Sequence, residues 1–222
     1  MLKVAGIPIV EHILKKLEKL DTINEIIIVT NNKFYGHFMV WLNDYSCSKN
    51  VKVINDGTIS NEGRLGAVGD INYILKNQEI NDDLLVIAGD NLFGFEINNF
   101  LNHFQQKNSS LVALHDLKDK NLVKNKFGVA ILCDQLSKVV DFEEKPAEPK
   151  STLAATACYI FHKEDLKLVE VAVETGKADD PGDLVKYLVK ESEVHGFVFD
   201  QHWFDIGSIE GLKQAEEVYR KL

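Results

Sequence analysis

Apolar residues recur along this chain in two alternating rhythms, one helical and one of strand length. Ile7 to Leu20 places Ile9, Val10, Ile13, Leu14, Leu17 and Leu20 at helical spacing, and Pro8 suits a first helical turn. Ile26 to Val29 is a buried strand by its continuous apolar character, and Lys33 to Tyr45 is an amphipathic helix interrupted by Gly36. Val51 to Ile54 is a short strand, and Asn55-Asp-Gly57 is turn chemistry. A polar, glycine-containing loop runs to Arg64, and Ala67 to Lys76 predicts a helix. Leu84-Leu-Val-Ile-Ala-Gly-Asp-Asn91 then runs apolar until it meets a glycine and an acidic residue. It predicts a strand buried on both faces of a parallel sheet.

The second half mixes more. Ile97 to Lys107 reads as a helix and Ser110 to Leu117 as a strand. Phe127 to Leu132 and Val139 to Phe142 read as antiparallel strands around a turn at Asp134 to Ser137. Leu153 to Phe161 is a further strand. Helices follow at Lys163 to Thr175, stopped by Gly176, and at Pro181 to Glu191. Val194 to Phe199 is a strand leading to Trp203-Phe-Asp-Ile-Gly207, and Ile209 to Leu222 closes the chain as a helix. Alternating strands and helices predict an α/β protein with helices on both faces of its sheet. Doubly wound domains usually begin with a strand whose first loop carries a phosphate site. Here a helix comes first.

Composition narrows the partners. The 222 residues are 45% hydrophobic and 27% charged, enough for one ample domain. A net charge of -9 and a pI near 5.3 argue against nucleic acid and against an anionic membrane surface. Arg64 and Arg220 are the only arginines in the sequence, so a bound polyphosphate would rely on a metal, lysines or backbone amides. Cys47, Cys133 and Cys158 form no CxxC pair, which suits a reduced, cytoplasmic setting, and the last two lie in apolar runs that predict core positions. The seven histidines lack zinc-ligand spacing. No signal peptide or transmembrane run is visible.

Three constellations can carry chemistry. Asp90 and Asp205 each follow a predicted strand and lie close to Gly89 and Gly207, where ligands collect in open α/β sheets. Two such carboxylates suit Mg²⁺, which keeps several waters and bridges phosphates; the plainer reading makes Asp90 a helix cap and the two aspartates unrelated. Phe142-Glu-Glu-Lys-Pro146 stops an apolar strand with a lysine suited to phosphate beside carboxylates suited to sugar hydroxyls, or is simply a solvated charged turn. Glu62-Gly-Arg-Leu-Gly-Ala67 is a glycine-bearing loop opening a helix, neither a Walker loop nor GxGxxG, whose amides can face a base or an anion.

In this order the pieces resemble the sugar-1-phosphate nucleotidyltransferases, the family of glucose-1-phosphate thymidylyltransferase. The shared features are Val4-Ala-Gly-Ile-Pro8, Leu65-Gly66, Gly89-Asp-Asn91, Phe127-Gly-Val129, Phe142-Glu-Glu-Lys-Pro146 continuing through Glu148-Pro-Lys150 to Tyr159, and Trp203-Phe-Asp-Ile-Gly207. The resemblance spans essentially the whole chain. It implies a Rossmann-like mixed, mostly parallel sheet with helices on both faces, as a single domain. Residues 1–117 would form a nucleotide-binding half and 118–222 a sugar-phosphate-binding half. It also implies a reaction in which a nucleoside triphosphate and a sugar 1-phosphate, with dTTP or UTP favoured, give nucleotide-sugar and pyrophosphate. By the same resemblance, Asp90 and Asp205 hold magnesium against the phosphates, with Asp90 and Lys145 the catalytic pair. Leu65, Gly66, Ala67 and Gly89 lie along the nucleotide. Gly128, Glu144 and Tyr159 contact the sugar, and Lys145 its phosphate. A homo-oligomer is compatible with the sequence, which does not fix the base or the sugar.

The departures are specific. Family members open with a strand and a GxGTRxxP loop, followed by a Pro-Lys pair ahead of the first helix; this sequence contains no such loop, and its Pro149-Lys150 lies far downstream of that helix. Ala67 stands where threonine is common, and Ala157 where glycine often precedes the tyrosine. The expectation is a sheet lacking its first strand, with unpaired edges, marginal stability and little transferase activity in these 222 residues. The single helix after Asp205 argues against an appended acyltransferase-type repeat domain. Two other readings compete: a non-catalytic subunit that binds sugar phosphate or nucleotide-sugar, and a metal-dependent glycosyltransferase. The latter calls for a second acidic residue beside Asp90, where the chain has Asn91 and Leu92.

Overall fold

The computed structural model describes residues 1–60, 62–133, 137–176 and 180–221. In chain order the elements are β1 (Lys3–Val4), β2 (Ile7–Pro8), α1 (Ile9–Leu17), β3 (Glu25–Thr30), α2 (Asn32–Asp44), β4 (Asn50–Asn55), α3 (Gly66–Asn77), β5 (Leu84–Ile87) and β6 (Asn91–Phe93). There follow α4 (Ile97–Lys107), β7 (Ser110–Asp116), α5 (Lys120–Val123), β8 (Val129–Leu132), β9 (Val139–Glu143) and β10 (Leu153–Phe161). A 3-10 turn at Lys163–Asp165 leads into α6 (Leu166–Glu174), then α7 (Pro181–Glu191), β11 (Val194–Phe199), β12 (Trp203–Asp205) and α8 (Ile209–Tyr219). The turn expected at Asp134 to Ser137 lies largely outside the described residues, as does Leu222 at the end of the last helix. No helix among the described residues is long and apolar enough to cross a membrane.

The chain divides into two compact units, Met1–Gly66 with Phe204–Leu222, and Ala67–Trp203. In the first, β3 and β4 form a parallel pair. Helix α1 buries Ile9, Ile13, Leu14 and Leu17, and its rim is tied to α2 by Trp41 Nε1 donating to Glu11 and Tyr45 donating to Glu18. Pro8 stands one place earlier than expected, at the N-cap of α1, because Ile7 and Pro8 pair antiparallel with Lys3 and Val4. The N–H of Ala5, held at φ 50, donates to Glu216 on α8 at 2.6 Å.

The second unit is built on β10. One edge of this nine-residue strand runs antiparallel along β7, which in turn pairs parallel with β11. The other edge is shared: β8 pairs near its start and β5 along Cys158 to Phe161, both antiparallel. Strands β8 and β9 form the expected antiparallel hairpin, and a bridge from Lys138 to His195 draws the start of β9 to β11. The core between this sheet and helices α3, α6 and α7 contains Val68, Val112, Leu114, Phe142, Tyr159, Phe161, Val169, Leu184 and Leu188.

The α/β architecture with helices packed on a mixed sheet agrees with the sequence. Three local expectations change. Strand β5 is not in a parallel ladder, since its partner β10 runs antiparallel. All four of its residues are half-buried rather than buried on both faces, and so are Ile27, Ile28 and Val29 of β3. Among the described residues β5 pairs with β10 alone and β3 with β4 alone. Cys133 is exposed rather than core, because it follows the last residue of β8; Cys158, on β10, is fully buried.

Candidate functional site

The β8–β9 hairpin brings together the first group of candidate residues. Val129 pairs with Glu143, so Gly128, one step before β8, and Glu144, one step after β9, come together at the open end of the ladder. A Cβ on Gly128 would lie 2.6 Å from Phe142 Cζ and 2.8 Å from Glu144 Oε2. Only glycine fits there. The first turn of α7 closes the other side: a Cβ on Gly182 would overlap the Glu144 carboxylate outright. Glu144 is thus clamped between two bare backbones, with its side chain only 16% exposed. Burial pushes its carboxyl above the ordinary range, reinforced by Asp180 and Asp183 and opposed by Lys145.

Lys145 follows in a left-handed backbone conformation, φ 44, uncommon for a residue with a side chain. Its ammonium donates to Asp180 at 2.6 Å and lies 3.3 Å from Glu144. Asp180 holds the lysine's pKa above its ordinary value. Asp180 also starts α7, its carbonyl accepting from the amides of Asp183 and Leu184. The result is a lysine flanked by acceptors, with an anion-binding ammonium and carboxylates able to accept from hydroxyls. Tyr159 lies behind this group on β10, 4% exposed, its ring 5.7 Å from that of Phe161. Burial, with the nearby charge of Glu144, raises its phenol pKa.

Asp90 stands on the exposed turn between β5 and β6, closed by the Asn91 amide donating to the Ala88 carbonyl. It does not cap a helix. Its Oδ1 accepts from the side-chain amide of Asn91 at 2.8 Å, and the Asn91 carbonyl oxygen accepts from Trp203 Nε1 at 2.7 Å. Gly89 is exposed, and a Cβ there would meet no atom within 4 Å. Leu65 is 41% exposed and precedes Gly66, whose φ of 73 starts α3; Ala67 follows in its first turn. Asp205 ends β12 in the first unit, exposed, with Oδ1 accepting from the amide of Gly207 at 3.0 Å.

Both aspartates offer oxygen to solvent, with one oxygen engaged locally. That donor chemistry fits Mg²⁺, a hard cation that takes one or two carboxylates and fills the rest of its shell with water and phosphate. Among the described residues no group of three or more His, Cys, Asp or Glu gathers as a metal cage, and a phosphate-bridging Mg²⁺ needs none.

Sequence reasoning assigned no role to Asp180, Gly182, Asn91 or Trp203. Asp180 and Gly182 read only as a helix start around Pro181. Nothing in the spacing reveals that Asp180 meets a lysine 35 positions away. Asn91 and Trp203 stood in motifs, and their bond spans 112 positions.

Comparison with known proteins identifies the family. The family model described as nucleotidyl transferase matches residues 1–221. The bifunctional protein GlmU of Methanocaldococcus jannaschii is 28% identical over 209 residues, 93% of this chain and 45% of that protein. Its counterpart from Methanococcus aeolicus is 28% identical over 208 residues, 93% of this chain and 46% of that protein. The chain therefore spans about half the length of these curated relatives. Among solved structures, a Bacillus anthracis protein assigned as glucose-1-phosphate thymidylyltransferase superposes with a TM-score of 0.79 at 23% identity, covering 100% of this chain and 86% of that one. Apo UDP-glucose pyrophosphorylase also gives 0.79, at 17% identity, covering 100% and 89%. These last likenesses concern the fold. With the family model matching residues 1–221, the chain belongs to the nucleotidyl transferase family.

Proposed function

We propose that the chain acts in transfer of a nucleotidyl group from a nucleoside triphosphate, with dTTP or UTP favoured, to a sugar 1-phosphate. A phosphate oxygen of the sugar attacks the α-phosphorus; the new P–O bond forms as the bond to pyrophosphate breaks, and pyrophosphate leaves with the electron pair. No general base is needed, because the sugar phosphate is already ionised at neutral pH. Catalysis then consists of positioning and charge neutralisation. The observation that carries the reading is the Gly128–Glu144–Lys145 group clamped by Gly182. It offers acceptors for sugar hydroxyls beside an ammonium for the phosphate. Asp90 and Asp205 would hold Mg²⁺, which neutralises phosphate charge when bound. Leu65, Gly66, Ala67 and Gly89 would border the nucleotide, and Tyr159 would back the sugar. The setting we infer is cytoplasmic.

These 222 residues contain no GxGTRxxP run and only two arginines, so their turnover as an isolated polypeptide is expected to be weak. Each missing transition-state donor is worth about 3 kcal/mol. A non-catalytic binding role is the second reading, supported by Gly128, Glu144, Lys145 and Tyr159 all lying within one unit. Pyrophosphate release with dTTP or UTP and glucose 1-phosphate, run beside isothermal titration of each ligand, separates the cases. Weak turnover lost in Asp90→Asn and Lys145→Met supports transfer. Binding without any turnover supports the subunit role. Failure to bind either ligand overturns both, and robust turnover overturns the impairment.

A further inference from the structure

We propose that Asn91 and Trp203 form an orienting relay for Asp90, positioning its carboxylate for the cation; the proposal rests on the reading of Asp90 as a metal ligand. Asn91 is 5% exposed, so both ends of its side-chain amide need partners inside the protein. An indole N–H can only donate. The 2.7 Å contact from Trp203 Nε1 therefore fixes which end of the Asn91 amide is oxygen. The NH₂ end is left to reach Asp90 Oδ1 at 2.8 Å. A flipped amide would set donor against donor at the indole and a lone pair against the carboxylate. The two bonds thus specify one rotamer, and that rotamer donates to one oxygen of Asp90 while the rest of the carboxylate faces solvent.

The indole is itself held firmly. Its ring lies edge-on to Phe127 with centroids 4.9 Å apart and 5.9 Å from His115, and it packs on the cluster of Val123, Val129 and Ala154. Asp90 is exposed on a short turn, where a free carboxylate would rotate and lose entropy on binding a cation. A buried donor removes that freedom beforehand. Hydrogen-bond partners standing behind a metal ligand typically change affinity ~10–100-fold when removed.

Mn²⁺ binding to the full chain, followed by electron paramagnetic resonance of the free ion, tests the relay apart from turnover. Trp203→Phe keeps the ring packing and removes the N–H; Asn91→Ser removes the bridging amide. Both are expected to weaken Mn²⁺ binding by ~10-fold or more, while Trp203→Phe melts near the wild-type temperature and Asp90→Asn loses the ion. A folded Trp203→Phe with wild-type affinity, alongside loss in Asp90→Asn, overturns the relay and leaves Asp90 as ligand. If Trp203→Phe does not fold, Asn91→Ser decides by the same comparison. Wild-type affinity in Asp90→Asn, or no binding by the wild-type chain, overturns the ligand reading and the relay together.

Discussion

Lys145 illustrates how one neighbour changes the chemistry a motif implies. A lysine at a strand end reads as a free ammonium, yet here Asp180 and Glu144 already occupy it. A phosphate bound at Lys145, as proposed, would have to take the place of Asp180, and the carboxylate's charge would work against it. Because Lys145 and Asp180 are each about half exposed, at 47% and 49%, solvent screens the pair and its worth is at most about 1 kcal/mol. Asp180→Asn is accordingly expected to bind glucose 1-phosphate up to about fivefold more tightly by isothermal titration. Weaker binding by the variant would mean that Asp180 serves the sugar rather than restraining the lysine. At Ala157 the structure shows why glycine suits the position in the family pattern and gives no reason for the alanine found here. This residue sits at φ 51 in the irregular stretch of β10, with its carbonyl accepting from the Ala88 amide, a conformation that glycine adopts without strain.

At the scale of elements, α7 matters more for its first turn than for its apolar face. Pro181 and Gly182 start the helix, and the bare backbone of Gly182 lets the turn close over Glu144. Alanine is the better helix former, so Gly182→Ala favours the helix locally while its methyl evicts the Glu144 carboxylate. The expected outcome is a melting temperature little changed and sugar-phosphate affinity reduced by about tenfold, the cost of displacing a buried acceptor. Unaltered affinity would remove Glu144 from the binding site.

A second junction of elements, where α4, β9 and β11 meet, should govern the response to acid. His195 is 4% exposed, with Nδ1 2.8 Å from Ser109 Oγ and Nε2 3.6 Å from Glu193. Burial lowers its pKa; Glu193 opposes that shift, and Lys107, His103 and Lys138 add to it. Burial, aided by Lys107, lowers that of His103 as well. Both imidazoles are favoured neutral in the fold. Their contribution is therefore complete above the unfolded value of about 6.5 and is lost as the pH falls toward the lower folded-state values. Asp116, held down to about 2 by Lys118 and Thr152, gives way only in much stronger acid. Thermal melts should thus drop between about pH 7.5 and about pH 5.5, and His195→Gln should flatten that slope. An equal slope in the variant would place the titration elsewhere.

For the whole molecule, the order of elements was largely legible. Periodicity located α4, β10, α7 and β11 at their observed bounds, since each is long enough for its spacing to repeat. Strands β1, β2, β6 and β12 span two or three residues and helix α5 four, too few for a rhythm to register. The chain's own residues also determined the motifs that tie it to its family, Gly128 among them; that Gly128 and Gly182 both close on Glu144 came only from the fold. Tertiary structure decided the rest. Strand β5 runs antiparallel to its neighbour and stays half-buried despite four consecutive apolar residues, because burial depends on what packs against a strand. Likewise, the pairing of Lys145 with Asp180 and the link from Trp203 through Asn91 to Asp90 arise from strands and helices meeting across the fold. Spacing along a chain encodes local geometry; which charge faces which, and which amide end turns toward Asp90, follows from long-range contact.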